Sequence, residues 1–435
     1  MTLDLLTAND RQGEYPASYY AATADPLPPF PATSGPLRCD VCVVGGGYTG
    51  LSAALHLAQR GFDVVLLEAQ RVGFGASGRN GGQVGTGQRV DMDTLEKMVG
   101  KGPAKALWDL SLESVQLVRD LIAQHSIDTP FHPGIIEAAH KARMVPEYHA
   151  YAEHLQKTYG YDLVQPLDRD GIRQHLGTTA YHGGTLDLGG GHIHPLRYAL
   201  GLARAAEAAG VRIFENSKVL GLDTGPKVTI RTASATISAD FAVIGCNGYL
   251  GDLDRQVATK VMPINNFIAA TEPLDAATAK DLIRHNHAVA DSKFVINYYR
   301  LSDDNRLLFG GGESYGYRFP QDIAATVRKP MLQVYPQLQN TRIDYAWGGT
   351  LGITMNRMPH FARRDGNVYL ASGYSGHGVA MATLGGKLAA DAIGGQAEKF
   401  DIMANVKTPT FPGGATLRWP LLVAAMLWYS LRDRL

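Results

Sequence analysis

The sequence is poor in cysteine, in net charge and in long apolar runs. Three cysteines in 435 residues exclude a disulfide-stapled scaffold. The 41 Lys and Arg residues balance 41 Asp and Glu, so no excess of positive charge points to nucleic acid or to an anionic membrane. No stretch reaches the ~20 apolar residues of a spanning helix. The most apolar segment, "WPLLVAAMLWY" at 419–429, is about half that long. It reads as a short C-terminal helix docked on the protein. A helix lying on a membrane surface is the alternative, because the charged "SLRDRL" follows. "MTLDLLTAND" has neither a cationic start nor an apolar core with a cleavage site, so no signal peptide is read and a cytoplasmic location is expected.

Cys39 and Cys42 form C-x-x-C. A redox pair of that spacing needs a helix N-terminus to lower a thiol pKa. Here "RCDVCVVGGG" reads as a strand entering a turn, where residues three apart face opposite ways. Both are read as plain strand cysteines. His192 and His194 in "GGHIHP" have no carboxylate or cysteine close by, so no metal site is expected. His194 caps the helix that Pro195 opens.

Glycine is plentiful, with 49 residues, and its placement is informative. "DVCVV" (40–44) reads as a strand, "LSAALHLAQRG" as a helix stopped by Gly61, and "FDVVLLE" as the next strand. That is a βαβ unit with a parallel sheet. Its turn, Gly45-Gly46-Gly47-Tyr48-Thr49-Gly50, is G-x-G-x-x-G in the context that the dinucleotide fingerprint requires. The first glycine makes the turn, the second admits a pyrophosphate, and the third lets helix pack on strand. The helix N-terminus offers free amides to phosphate. Glu68, 18 residues past Gly50, is placed to accept ribose hydroxyls.

Two further glycine-rich stretches favour FAD over NAD. "GFGASGRNGGQ" (73–83) brings bare backbone to a large flat cofactor. Arg79 can face its phosphates, and Asn80 or Gln83 its polar ring edges. "GYSGHGVAMATLGG" (373–386) starts a helix at Gly376, His377 and Gly378. A helix N-terminus aimed at a reduced flavin's pyrimidine would stabilise its negative charge, and His377 can add a hydrogen bond or a proton. Elsewhere, 1–36 is a proline- and tyrosine-rich arm, 90–180 is largely helical, and "FVINYYRLSDDNRLLFGGG" is a hairpin across "SDDN".

With these elements in this order, the chain resembles the D-amino-acid oxidase-type (DAO) superfamily of FAD-dependent oxidoreductases. More narrowly it is similar to the gamma-glutamylputrescine oxidases, through "SYYAATA", "GGHIHPL", "YYRLSDDNRLLFGGG", "GYSGHGV" and the tail "YSLRDRL". The resemblance implies an α/β fold in which a Rossmann-like FAD-binding domain is joined to a discontinuous α+β substrate domain with an antiparallel sheet. The expected division is an arm at 1–36, an FAD domain of 37–88, 185–260 and 360–400, a substrate domain of 89–184 and 261–359, and a tail at 401–435. Candidate FAD contacts are Gly45, Gly47, Tyr48, Thr49 and Gly50; Glu68, Ala69 and Arg71; Gly75, Ala76, Ser77, Arg79, Asn80, Gly81, Gly82 and Gln83. To these the resemblance adds Val219, whose backbone would meet the adenine, with Asn247, Gly248 and Gly373, and Gly376 to Val379 at the pyrimidine end. The sarcosine-oxidase branch binds FAD through a cysteine before the last strand. None follows Cys246 here, so non-covalent FAD is expected.

The implied activity is oxidation of an amine to an imine and then an aldehyde, with oxygen as acceptor and hydrogen peroxide released. A flavin takes a hydride only from a neutral amine, and neutralising an alkylammonium near pH 7.5 costs about 4 kcal/mol. Burial against apolar and aromatic walls shifts an amine that way. Candidate catalytic residues are His377, Tyr298, Tyr299, Trp347 and His192, with at most one of the adjacent tyrosines entering the pocket. Lys260 and Lys293 are candidate cations for oxygen reduction. Relatives carry a basic residue before "PGG" where this chain has His132 in "FHPGIIEAA", and "VGTGQR" after "RNGGQ" also differs. Both regions are candidates to line the substrate pocket. The alternatives are a dehydrogenase passing electrons to quinone and a flavin-binding subunit without turnover.

Overall fold

The computed structural model describes residues 3–314 and 316–414. Two sheets organise them. The first runs His360–Arg364, Val368–Ser372, Ala235–Ile244, Gly35–Val44, Val64–Leu67 and Arg212–Phe214 from edge to edge. All its pairings from Val368–Ser372 to Arg212–Phe214 are parallel. The strand stretches "VCVV" and "VVLL" are fully buried, which suits a sheet covered on both faces.

One face carries the helices Tyr48–Gln59 and Gly378–Ile393, packed on each other. Their backbones approach closely: a Cβ on Gly386 would lie 2.2 Å from the carbonyl of Thr49, and the Ser52 hydroxyl donates to the Thr383 carbonyl at 2.7 Å. The other face packs Cys42, Val44 and Ile244 with Val228 and Ile230 of an antiparallel strand pair.

Cys39 and Cys42 share this second cluster and are free thiols, which corrects the expectation that they face opposite ways. The cause is local. The amides of Asp40 and Val41 both donate to the Asp63 carbonyl, at 2.9 and 3.1 Å, a bulge-like pattern that breaks strict alternation.

The second sheet runs Ile343–Ile353, Met262–Thr271, Leu307–Ser314, Tyr298–Leu301, Ala288–Asp291, His132–Ala138, Gly184–His192 and Gln83–Val84. It is antiparallel except where Ala288–Asp291 pairs with His132–Ala138. The expected hairpin is present, closing at Leu301 opposite Leu307. Its alternation sorts the side chains: Tyr299 stacks on Phe309 in the cluster under helix Ile323–Val334, so Tyr298 points the other way.

Gly184–His192 and Gln83–Val84 pair in this second sheet, although both had been expected on the FAD side of the boundaries at 88 and 185. The glycine-rich stretch 73–82 therefore spans the space from one sheet to the other. The arm holds a short helix, Tyr19–Thr23, capped by Ser18. Tyr20 is fully buried against His194 and Trp347. Among the described residues no helix is long and apolar enough to cross a membrane; segment 419–429 lies outside them.

Candidate active site

A cleft of about 1250 Å³ opens between the two sheets, larger than the ~300–1,000 Å³ of an ordinary small-ligand pocket. At its first end, the strand Gly35–Val44 delivers the fingerprint turn. Gly45 has φ +106°, which a glycine adopts without strain. A Cβ on Gly50 would lie 1.8 Å from the Gly45 carbonyl, so the third glycine lets the helix settle on the strand. Gly47 caps that helix without a side-chain hydrogen bond. Tyr48 and Thr49 of the first turn also line the cleft.

The other floor helix repeats the arrangement. His377 caps Gly378–Ile393 and offers its amides no side-chain partner. Gly376, His377, Gly378 and Val379 all line the cleft. Gly376 has φ +87° and nothing within 4 Å of where a Cβ would sit. Helices that begin elsewhere at Asp91, Asp168, Asp275 and Asp322 are closed by their own carboxylates. Two N-termini whose own cap residues make no side-chain bond face one cleft and make two anion-binding ends.

Glu68 follows strand Val64–Leu67. It accepts from the amides of Gly46 at 2.6 Å and Gln70 at 2.8 Å. Burial pushes its carboxyl up to about 7, against those same amides. Ala69, Gly75, Ala76 and Val219 surround this end. In the loop, the Ser77 hydroxyl accepts from the Tyr48 amide at 3.0 Å. Asn80 donates to the carbonyls of Ala76 and Ser77 and accepts from the Gly82 amide. Gln83 donates to the Val289 carbonyl at 2.9 Å. Gly81 must be bare because a Cβ would lie 2.7 Å from the Tyr298 ring. Asn247 lines the cleft and accepts from the Gly373 amide at 2.9 Å.

Other expected residues stand behind the walls. Arg79 lines the cleft, but its guanidinium binds Asp10 at 3.0 Å and the carbonyls of Phe74 and Gly348. Arg71 pairs with Glu215 at 2.7 Å and donates to the Leu27 carbonyl. Gly82, Gly248 and Gly373 pack against the backbone of Ile193, the backbone of Leu351 and the side chain of Thr354.

The catalytic candidates divide the same way. Tyr298 lines the cleft and donates to Asn266 Oδ1 at 2.5 Å; burial raises its pKa well above the ordinary phenol value. Tyr299 lies in the core under helix Ile323–Val334. Trp347 donates to the Arg79 carbonyl at 3.0 Å from behind the loop. His192 is buried, bonded to the Asn286 carbonyl at 2.7 Å and stacked on His132. None of these last three lines the cleft. His194 caps its helix, with Nδ1 accepting from the Arg197 amide.

His377 reaches the Gly87 carbonyl at 3.0 Å through Nε2. A carbonyl only accepts, so Nε2 carries the proton and Nδ1 is left as an acceptor. Burial, with Arg89 beside it, pulls the ring pKa down to about 4. His377 is thus a neutral acceptor near pH 7; of the two expected roles, this suits the hydrogen bond and not the proton. Of the two lysines, Lys293 lines the cleft and Lys260 does not.

Sequence reasoning missed the polar floor of the far arm. Ile135, Glu137, Thr185, Asp187 and Ala290 share one face of the second sheet, with Tyr148, Tyr151 and Tyr161 as walls. The two divergent stretches did contain its key residues. Glu137 lies in "FHPGIIEAA" and Arg89 in "VGTGQR", whereas His132 itself stands outside the cleft, 3.4 Å from Asp303. Period-two alternation along "GIIEA" was the available signal.

A fingerprint turn, a ribose-side carboxyl and a second helix N-terminus at the far end together fit a long flavin dinucleotide. Residues 40–392 match the family of FAD dependent oxidoreductases, DAO, and the chain belongs to that family of flavoenzymes. Over 97% of this chain and 99% of the relative, it is 43% identical to gamma-glutamylputrescine oxidoreductase of Escherichia coli (strain K12). It is 44% identical, over 96% of this chain and 97% of the relative, to the probable oxidoreductase OrdL of Rhizobium meliloti (strain 1021). Its fold is that of glycine oxidase from Geobacillus kaustophilus, with a TM-score of 0.69 at 21% identity, covering 83% of this chain and 95% of that one.

Proposed function

We propose that this flavoenzyme oxidises the terminal primary amine of a gamma-glutamylputrescine-type substrate to an aldehyde, with oxygen as acceptor and hydrogen peroxide as second product. The observation that carries the reading is near-full-length similarity to a gamma-glutamylputrescine oxidoreductase, on a cleft long enough for both dinucleotide and substrate. In this reading the first sheet holds the cofactor and the second holds the substrate, in the cytoplasm.

FAD, when bound, supplies a two-electron acceptor for the hydride leaving the amine carbon. The chain's residues do the rest. Amides at Gly47 and Thr49, with the Ser77 hydroxyl that the Tyr48 amide orients, would hold the diphosphate, Glu68 the ribose, and the N-terminus at His377–Val379 the flavin's pyrimidine edge. Tyr298 excludes water from the reacting amine and favours its neutral form. The proton lost from nitrogen leaves to solvent, and water then hydrolyses the imine. Non-covalent attachment is supported by Cys246, which is the cysteine that lines the cleft among the described residues. Burial pushes its thiol up to about 12, far from a reactive thiolate.

The test is the visible spectrum of the purified, FAD-loaded protein under anaerobic conditions. Gamma-glutamylputrescine should bleach the flavin band, and air should restore it with release of peroxide. A band that stays unbleached overturns the substrate. Bleaching that air does not reverse, but a quinone does, overturns oxygen as acceptor.

A further inference from the structure

The second sheet sends three carboxylates into the far arm of the cleft: Glu137, Asp187 and Asp291. Two of them are committed to the fold. Asp187 accepts from the hydroxyls of Tyr161 and Thr86 and from the Gly189 amide. Asp291 accepts from the Asn297 amide at 2.9 Å, the Asn297 side chain at 2.8 Å and the Lys293 amide. The Glu137 carboxylate has no hydrogen bond or ion pair to any described residue.

Its position makes that unusual. Glu137 sits mid-strand between Ala290 and Thr185 on its two neighbours, and its side chain points into the cleft beside Tyr148 and Tyr151. The cleft walls around it raise its carboxyl to about 7, while the side chain stays open to solvent within the cleft. A carboxylate open to the cleft with no protein partner is available to a ligand cation, and loses its water only when such a ligand enters. Tyrosine faces next to it add attraction for a cation.

A guanidinium accompanies it. Arg89 lines the same cleft and donates Nε to the Ser375 carbonyl at 3.1 Å. Among the described residues no carboxylate pairs with it. Arg89 is the charge that most favours ionisation of Glu137, yet the two do not pair. An anion and a cation held apart in one arm, each with unused bonding groups, form a receptor for a group carrying both charges. A simple diamine would use the carboxylate and leave the guanidinium without a partner.

We infer that Glu137 and Arg89 are specificity-determining residues that hold a zwitterionic α-amino-acid head group at the end of the substrate distant from the reacting amine: Glu137 binds its ammonium and Arg89 its carboxylate. This rests on the proposed amine oxidation and deepens it. The cleft discriminates for an aminoacylated amine against the free diamine.

The test uses the full-length, FAD-loaded protein with three amines that share the reacting end. These are gamma-glutamylputrescine, its N-glutaryl analogue without the α-amino group, and its 4-aminobutanoyl analogue without the α-carboxylate. Wild type should favour the parent in kcat/KM by about 30-fold or more over each analogue, the loss seen when one partner of a buried charge pair is removed. Glu137→Gln should lose about that factor on the parent and under ~3-fold on the N-glutaryl analogue. Arg89→Gln should do the same with the 4-aminobutanoyl analogue.

Equal use of all three amines by wild type overturns the assignment without any variant. A uniform loss across the three amines in either variant, or no loss, overturns it as well. If wild type oxidises none of them, the amine reading fails and the head-group site is read separately. Gamma-glutamyl-n-butylamide, which lacks the reacting amine, should still perturb the flavin spectrum on binding, and each variant should abolish that perturbation. No binding of this ligand by wild type overturns the receptor.

Discussion

At the scale of single residues, the cleft holds groups whose protonation the fold has moved. Glu68 belongs to the fingerprint by position, yet its carboxyl is held at about 7 by burial. Its pKa is raised above the ~4.3 of an unfolded chain. Its contribution to stability is therefore present in full below about pH 4 and is lost as pH rises through 7. Glu68→Gln removes that titration. Between pH 4 and pH 8, the difference in unfolding free energy between the two apoproteins should move in favour of the variant by up to about 3 kcal/mol. The same variant should bind FAD about 10–100-fold more weakly, as expected when a hydrogen bond to a charged group is lost. Urea titrations at the two pH values and a flavin fluorescence titration read these effects separately. Glu68 was legible as a residue from its spacing. Its protonation was not, because desolvation depends on what surrounds it.

Among the elements, the strand–turn–helix from Gly35 to Gln59 was legible almost whole, because each of its parts obeys a local rule. Gly45 supplies a positive φ, and Gly50 supplies the absent Cβ. Gly50→Ala tests the second: the new methyl would meet the Gly45 carbonyl at 1.8 Å, and backbone cannot step aside as a flexible side chain can. Overpacking of this kind should cost about 3 kcal/mol or more and lower FAD content after purification. Equal stability and full flavin loading would show that the helix is not seated as described. The hairpin was equally readable. The choice between Tyr298 and Tyr299 was not, since alternation says that one enters the cleft but not which. Helix Ile323–Val334 makes the choice by claiming the Tyr299 face.

At the scale of the whole molecule, the arm holds together segments far apart in sequence. Asp10 pairs with Arg79, both nearly fully buried at 7% and 1% side-chain exposure. Gly13 donates to Gln70, and Tyr15 to the Val72 carbonyl. Removing one partner of a buried pair typically costs ~3–5 kcal/mol. Asp10→Ala should lie near about 3, because the carbonyls of Phe74 and Gly348 still accept from Arg79. Chemical denaturation should report this loss, together with faster release of FAD, since Arg79 anchors the loop along the cofactor's path. A stability change below about 0.5 kcal/mol, the range of ordinary surface substitutions, would mean that the arm is not docked on the loop.

The sequence by itself determined the cofactor class, the βαβ unit and the helix that starts at Gly378. These rest on φ/ψ limits, alternation and capping, which act over a few neighbours. Only the tertiary structure decided that Arg79 faces Asp10, that Trp347 and His192 stand behind the walls, and that Glu137 and Arg89 share one arm. Those outcomes depend on which distant strand lies alongside, and on which buried charge already has a partner.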